Sequence, residues 1–185
     1  MTRLFGTWNN FRSEIRGVLE LRLKQIPIVS GRLHRAVGRS LEDIPDFPDD
    51  CLNNLTSIEE QALDLIWEQE FGQSKQVPAD VVAYWTVPPR DRDKLVAGMM
   101  NTNSWGVPSS RGDQVRLLQI LTGSAIGFDS KAKRVSKDTY VLVNAIHSFR
   151  NRNQHADGQT MHEGVAVAAM MTCAELLGCL AREFA

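Results

Sequence analysis

The chain has 185 residues, 43% of them hydrophobic and 23% charged, with 21 Lys and Arg against 22 Asp and Glu. That composition belongs to an ordinary globular chain able to bury a core of its own, and the near-neutral balance excludes a protein that coats nucleic acid indiscriminately. Three cysteines, Cys51, Cys173 and Cys179, cannot all pair within one chain and lack metal-ligand spacing, which fits reduced thiols.

In chain order, the N-terminal MTRLFGTWNNFRSEIRG carries charges where a signal peptide needs an apolar run, so a cytoplasmic protein is expected. Phe11, Ile15, Val18, Leu19 and Leu23 recur at three- and four-residue steps, predicting an amphipathic helix over 8–25 that Pro27 closes. A short basic helix is expected over 32–41. Residues 1–40 hold eight bases against two acids, and Arg12, Arg16, Arg32, Arg35 and Arg39 among them are candidate RNA contacts. Residues 41–80 hold eleven acids against one base. Such blocks either present separate basic and acidic faces or pack side by side and neutralise each other.

IPDFPDD reads as a loop, after which Ser57-Ile58-Glu59-Glu60 matches a capping box. Ile58, Ala62, Leu65, Ile66 and Gln69 then mark one face of a helix ending near Gly72. Val81, Val82, Tyr84 and Trp85 fit a short helix or a strand over 79–86, and a helix is expected over 90–100 after Pro88 and Pro89. Ser110 or Asp113 caps a helix over 114–121, and 123–133 is loop. From Ser136 a helix carries Thr139, Leu142, Val143, Ile146 and Phe149 on its apolar face until Asp157-Gly158 turns the chain. The last helix, over 160–181, is apolar nearly all round. Its small residues and Glu175 suit a core helix better than a membrane span. The fold class expected is all-α, a single-domain bundle of five to seven helices spanning 1–185.

The stretch FRNRNQHADG, 149–158, concentrates Arg150, Asn151, Arg152, Asn153 and His155 at the end of one helix. Metal-free RNA cleavage needs a base for the ribose 2′-OH and donors for the charge that develops on phosphorus. Histidine suits the first task because its unperturbed pKa is about 6.5. Arginine suits the second because its planar fork stays charged. Arg150, Asn151 and His155 are therefore the candidate catalytic residues, with His147 and Arg152 in possible support. In a continuous helix Arg150 and His155 stand about 140° apart, so they converge only if the helix frays or a second chain supplies one of them. The competing reading is a solvated helix end, where Arg and His offset the macrodipole by about 0.3–1 kcal/mol. No third ligand accompanies His155 and His162, so neither a metal nor a cofactor is expected.

Arg150-Asn151-x-x-x-His155, placed at a helix end before a long small-residue helix, resembles the R(N)x4–6H signature of the HEPN superfamily, the higher eukaryotes and prokaryotes nucleotide-binding domains. The resemblance covers about 136–182. It implies a metal-independent endoribonuclease that leaves a 2′,3′-cyclic phosphate, acts as a homodimer with a composite site, and serves as a toxin or antiphage-defence effector with an antitoxin or defence-system partner. In that comparison Arg150 contacts the scissile phosphate, Asn151 supports it and His155 is the acid/base group. One departure is Asp157, where members silenced by adenylylation carry tyrosine two residues after the histidine. The alternative is a non-catalytic HEPN-like module that binds nucleotide or RNA, or docks a partner, through the same residues. A third is a structural helical subunit.

Overall fold

The computed structural model describes residues 2–43, 48–85, 106–154 and 163–185. Among them the protein is all-α, with no strand. The helices are α1 (Thr2–Gln25), α2 (Gly31–Asp43), α3 (Pro48–Asn53), α4 (Leu55–Phe71), α5 (Ala79–Trp85), α6 (Arg111–Leu121), α7 (Lys137–Gln154) and α8 (Glu163–Phe184), with a 3₁₀ turn, Gly72–Ser74, after α4. Six of these have eleven residues or more, in keeping with the expected bundle. The chain forms two compact units, Met1–Ala62 with Leu142–Ala185, and Leu63–Val141.

In the first unit α1, α2 and α3 all pack on α8. Ala166, Ala169 and Ala174 keep the α8 surface low, while Met170, Leu176, Leu177 and Leu180 fill the space between helices. α2 contributes Leu33, Val37 and Leu41, and α3 contributes Cys51 and Leu52. By length and composition α8 could cross a membrane, yet 67% of its apolar 18-residue stretch is buried within the protein. Among the described side chains of α1, Leu19 and Leu23 are buried, as is Ile26 just beyond the helix, whereas Val18 is 66% exposed. Val18 stands 100° round from Leu19 and so leaves the stripe that the sequence pattern assigned to it.

Two local signals resolve differently from expectation. Pro48, Asp49 and Asp50 form the first turn of α3 instead of a loop, with proline where its missing N–H costs nothing. The capping box does not form. α4 begins earlier, with the Asn54 carbonyl accepting from the Ser57 and Ile58 amides at 3.1 and 3.2 Å, and the Asn54 side chain donates to Asp43. Ser57 instead accepts from Gln61 Nε2 at 2.8 Å.

The second unit is built on the later turns of α4. Trp67 is fully buried, lies parallel to Phe71 and donates from Nε1 to Gln114 at 3.0 Å. Gln114 in turn donates to the Pro108 carbonyl at 2.7 Å, so each of these buried polar groups is satisfied. The ambiguous 79–86 segment is helical, and α5 packs on α6. α6 starts at Arg111, three residues before its expected beginning; Ser110 occupies the cap position, but its side chain makes no capping bond. Gly123 has φ of +66°, and a Cβ there would stand 2.5 Å from the Ser130 nitrogen, so this turn requires glycine. The loop that follows is held by Glu70, whose buried carboxylate accepts from the backbone amides of Lys133, Arg134 and Val135 at 2.7–2.8 Å. α7 starts as expected, with Ser136 accepting from the Thr139 and Tyr140 amides. The expected helix over 90–100, the turn at Asp157-Gly158 and the side chains of Trp8, Trp85 and Trp105 lie outside the described residues.

All three cysteines are free and buried. Burial pushes the Cys51 thiol up to about 12, with the Asp43 carboxylate adding to it, and burial also pushes Cys173 up. Two outcomes follow from this packing. A thiol reagent at neutral pH should label Cys51 and Cys173 only as fast as the protein unfolds, because the attacking thiolate is scarce and screened; rapid labelling of the folded protein would contradict their burial. Replacing Glu70 by alanine should lower the unfolding free energy by about 3 kcal/mol, since three amides lose a charged acceptor; denaturant titration reads this directly.

Candidate active site

His147, Arg150 and Asn151 lie at i, i+3 and i+4 on α7, so they share one face of its last two turns. Thr56 and Glu59, at i and i+3, share a face of the first turns of α4. These two faces meet through side chains. Glu59 Oε1 lies 2.6 Å from His147 Nδ1, and Glu59 Oε2 lies 3.6 Å from Arg150 Nε. Arg150 Nε also donates to Thr56 Oγ1 at 3.4 Å, and its Nη1 donates to Asn151 Oδ1 at 3.3 Å. Asn151 Nδ2 stands 2.9 Å from His147 Nε2, closing the cluster.

The electrostatics are set by Glu59, whose side chain is 0% exposed, against 15% for His147 and 19% for Arg150. Its Oε2 is buried without a hydrogen bond, so Arg150 answers that oxygen by charge alone. A buried carboxylate left without a cation is costly, which ties the Arg150 side chain to this place.

The hydrogen bonds allow one consistent assignment of protons. An ionised carboxylate only accepts, so His147 carries its hydrogen on Nδ1 and leaves the Nε2 lone pair for the Asn151 amide. Asn151 then presents Oδ1 to the Arg150 guanidinium, as observed. Turning the asparagine over would set two donors against each other at Arg150. The cluster is thus a directed chain from Arg150 through Asn151 and His147 to Glu59.

Of the residues singled out in the sequence, Arg150, Asn151 and His147 are brought together. Arg152 is exposed and about 200° round the helix from Arg150, so it does not join them. His155 and His162 lie outside the described residues. Arg16 is paired to Glu20 at 2.6 Å within α1. Arg32, Arg35 and Arg39 are exposed and, at i, i+3 and i+7, form one basic stripe on α2, while the side chain of Arg12 is outside the described set. No three His, Cys, Asp or Glu side chains among the described residues are grouped to hold a metal.

Sequence reasoning missed Thr56 and Glu59. The readable signal was the position of Glu59 between Leu55, Ile58, Ala62 and Leu63, all fully buried. A carboxylate on such a stripe requires a buried partner, and the capping reading, which uses Ser57 and Glu60, left Glu59 without one.

A double-mutant cycle on Glu59 and Arg150 checks this geometry. Glu59→Ala should cost about 3–5 kcal/mol by stranding buried positive charge, and the pair should show a coupling of about 1–3 kcal/mol. Additive losses in denaturant titrations would contradict the contact.

Comparison with protein-family models, with curated proteins and with solved structures finds no match to this chain. The chemistry of the site therefore has to come from its own residues.

Proposed function

We propose that the protein is a metal-independent endoribonuclease of the HEPN type, cleaving RNA by 2′-OH attack to leave a 2′,3′-cyclic phosphate. The observation that carries this reading is the mounting of Arg150. One edge of its guanidinium is held by Glu59 and Thr56 and one amino group by Asn151, while the side chain keeps partial exposure. A pre-set arginine fork of this kind suits a phosphate whose charge grows in the transition state. An ordinary helix end asks for none of these anchors, since it needs only a cation near the last carbonyls.

In this reading Arg150 binds the scissile phosphate, Asn151 holds the fork, and His155, four residues on, transfers protons. The exposed Arg32, Arg35 and Arg39 stripe offers further phosphate contacts along a bound strand. A homodimer with a composite site, a toxin or defence role, and a restraining partner protein complete the proposal; these come from the HEPN resemblance. A phosphate-binding module without cleavage would use the same fork and stripe, and salt-dependent RNA affinity without strand scission would mark it.

Cleavage of a mixed RNA panel in EDTA tests the proposal. The wild type should cut and leave cyclic-phosphate ends. Arg150→Ala should lose about 10²–10³-fold in rate, as expected for a removed charge-stabilising donor. His155→Ala should lose about 10²–10⁴-fold. Cutting at equal rates by all three folded proteins would assign the activity elsewhere.

A further inference from the structure

Histidine His147 has a different environment from the other described histidine. His34 Nδ1 is buried without a hydrogen-bond partner, whereas both ring nitrogens of His147 are engaged. A fully buried carboxylate on Nδ1 does two things for an imidazole. It fixes the tautomer with the lone pair on Nε2, and it stabilises the cation that forms when Nε2 takes a proton. The His147 side chain is 15% exposed, and its Nε2 atom is one asparagine away from the Arg150 guanidinium. A lone pair held ready beside a phosphate-binding arginine is what a general base requires.

The group now on Nε2 also bears on this. Asn151 donates an amide hydrogen to it at 2.9 Å. A ribose 2′-OH is a donor of the same polarity and can replace that amide hydrogen without any change of tautomer. Asn151 is also bonded to Arg150, so its displacement couples arrival of the ribose to the phosphate-binding fork.

We propose that His147 is the general base of the site and that Glu59 is its positioning residue; this rests on the ribonuclease reading above. The O2′–H bond breaks and its proton passes to Nε2, while O2′ bonds to phosphorus and the P–O5′ bond breaks. The departing 5′ oxygen takes a proton from the acid, the part left to His155 by the motif. His147 returns its proton to water and His155 regains one before the next turnover. Glu59 stays ionised throughout and touches no substrate atom.

The test uses the full chain and four variants, His147→Gln, His147→Gly, Glu59→Gln and His155→Ala, each first shown to keep the helical content and melting behaviour of a folded protein. Steady-state cleavage of one RNA is paired with nitrogen-15 spectra of the His147 ring. His147→Gln should lose about 10²–10⁴-fold in kcat, and added imidazole should restore part of the rate to His147→Gly. Glu59→Gln should lower kcat about 10–100-fold, the range of an orienting partner, with KM within about threefold. In the same variant the ring should pass from a single Nδ1–H tautomer to a mixture, a change that a purely structural glutamate would not produce.

Wild-type rates in His147→Gln, with activity lost in His155→Ala, would overturn the base assignment and leave the ribonuclease reading standing. An unchanged tautomer in Glu59→Gln would remove the positioning role. No cleavage by the wild type would end the ribonuclease reading and the base role together, whatever the ring spectra show.

Discussion

Placing the Glu59 carboxylate out of reach of water creates a demand that the surrounding side chains have to meet. An ion of this kind persists inside a protein only where positive charge and donors replace its hydration. Here His147 supplies a hydrogen at 2.6 Å and Arg150 supplies charge at 3.6 Å. Both come from the end of α7, so one buried acid on α4 determines the direction of two side chains of the candidate site. Asn151 then links them, because its amide can satisfy the imidazole and the guanidinium only in one orientation.

The same helix carries a second buried acid that is answered differently. Glu70 is met by three backbone amides of one loop, groups that neither titrate nor leave. That arrangement locks a chain segment in place and offers no chemistry. Glu59 is met by an imidazole and a guanidinium, groups that exchange protons and bind anions. The partners of the two carboxylates differ in chemistry, although burial is equal in the two cases.

Much of the fold was legible because helices bury stripes of side chains at a period that sequence records. Ser136 and the run through Val143 and Ile146 marked α7, and the small-residue run marked α8. Arg150 and Asn151 were legible as a local motif, and His147 as their neighbour one turn back. Glu59 was not, since its partner lies 88 residues away. The capping box failed because Asn54 begins the helix first and leaves Ser57 inside it. Arg152 shows the opposite error. Adjacency in the motif suggested support, but a two-residue step on a helix points it away from Arg150. Val18 left its expected stripe for the same angular reason.

The measurement that bears most directly on the account is a titration of the isotope-labelled protein with an RNA oligonucleotide made uncleavable by a methylene group in place of the scissile 5′ oxygen, which keeps the 2′-OH. The side-chain resonances of Arg150 and His147 are followed together, in low and moderate salt. The account predicts that both shift at the same ligand concentration, that the Asn151 amide signal moves with them, and that affinity falls as salt rises. Binding that leaves all three unmoved, or no binding at low salt, would contradict the assignment of the Glu59 cluster as the place where RNA is held.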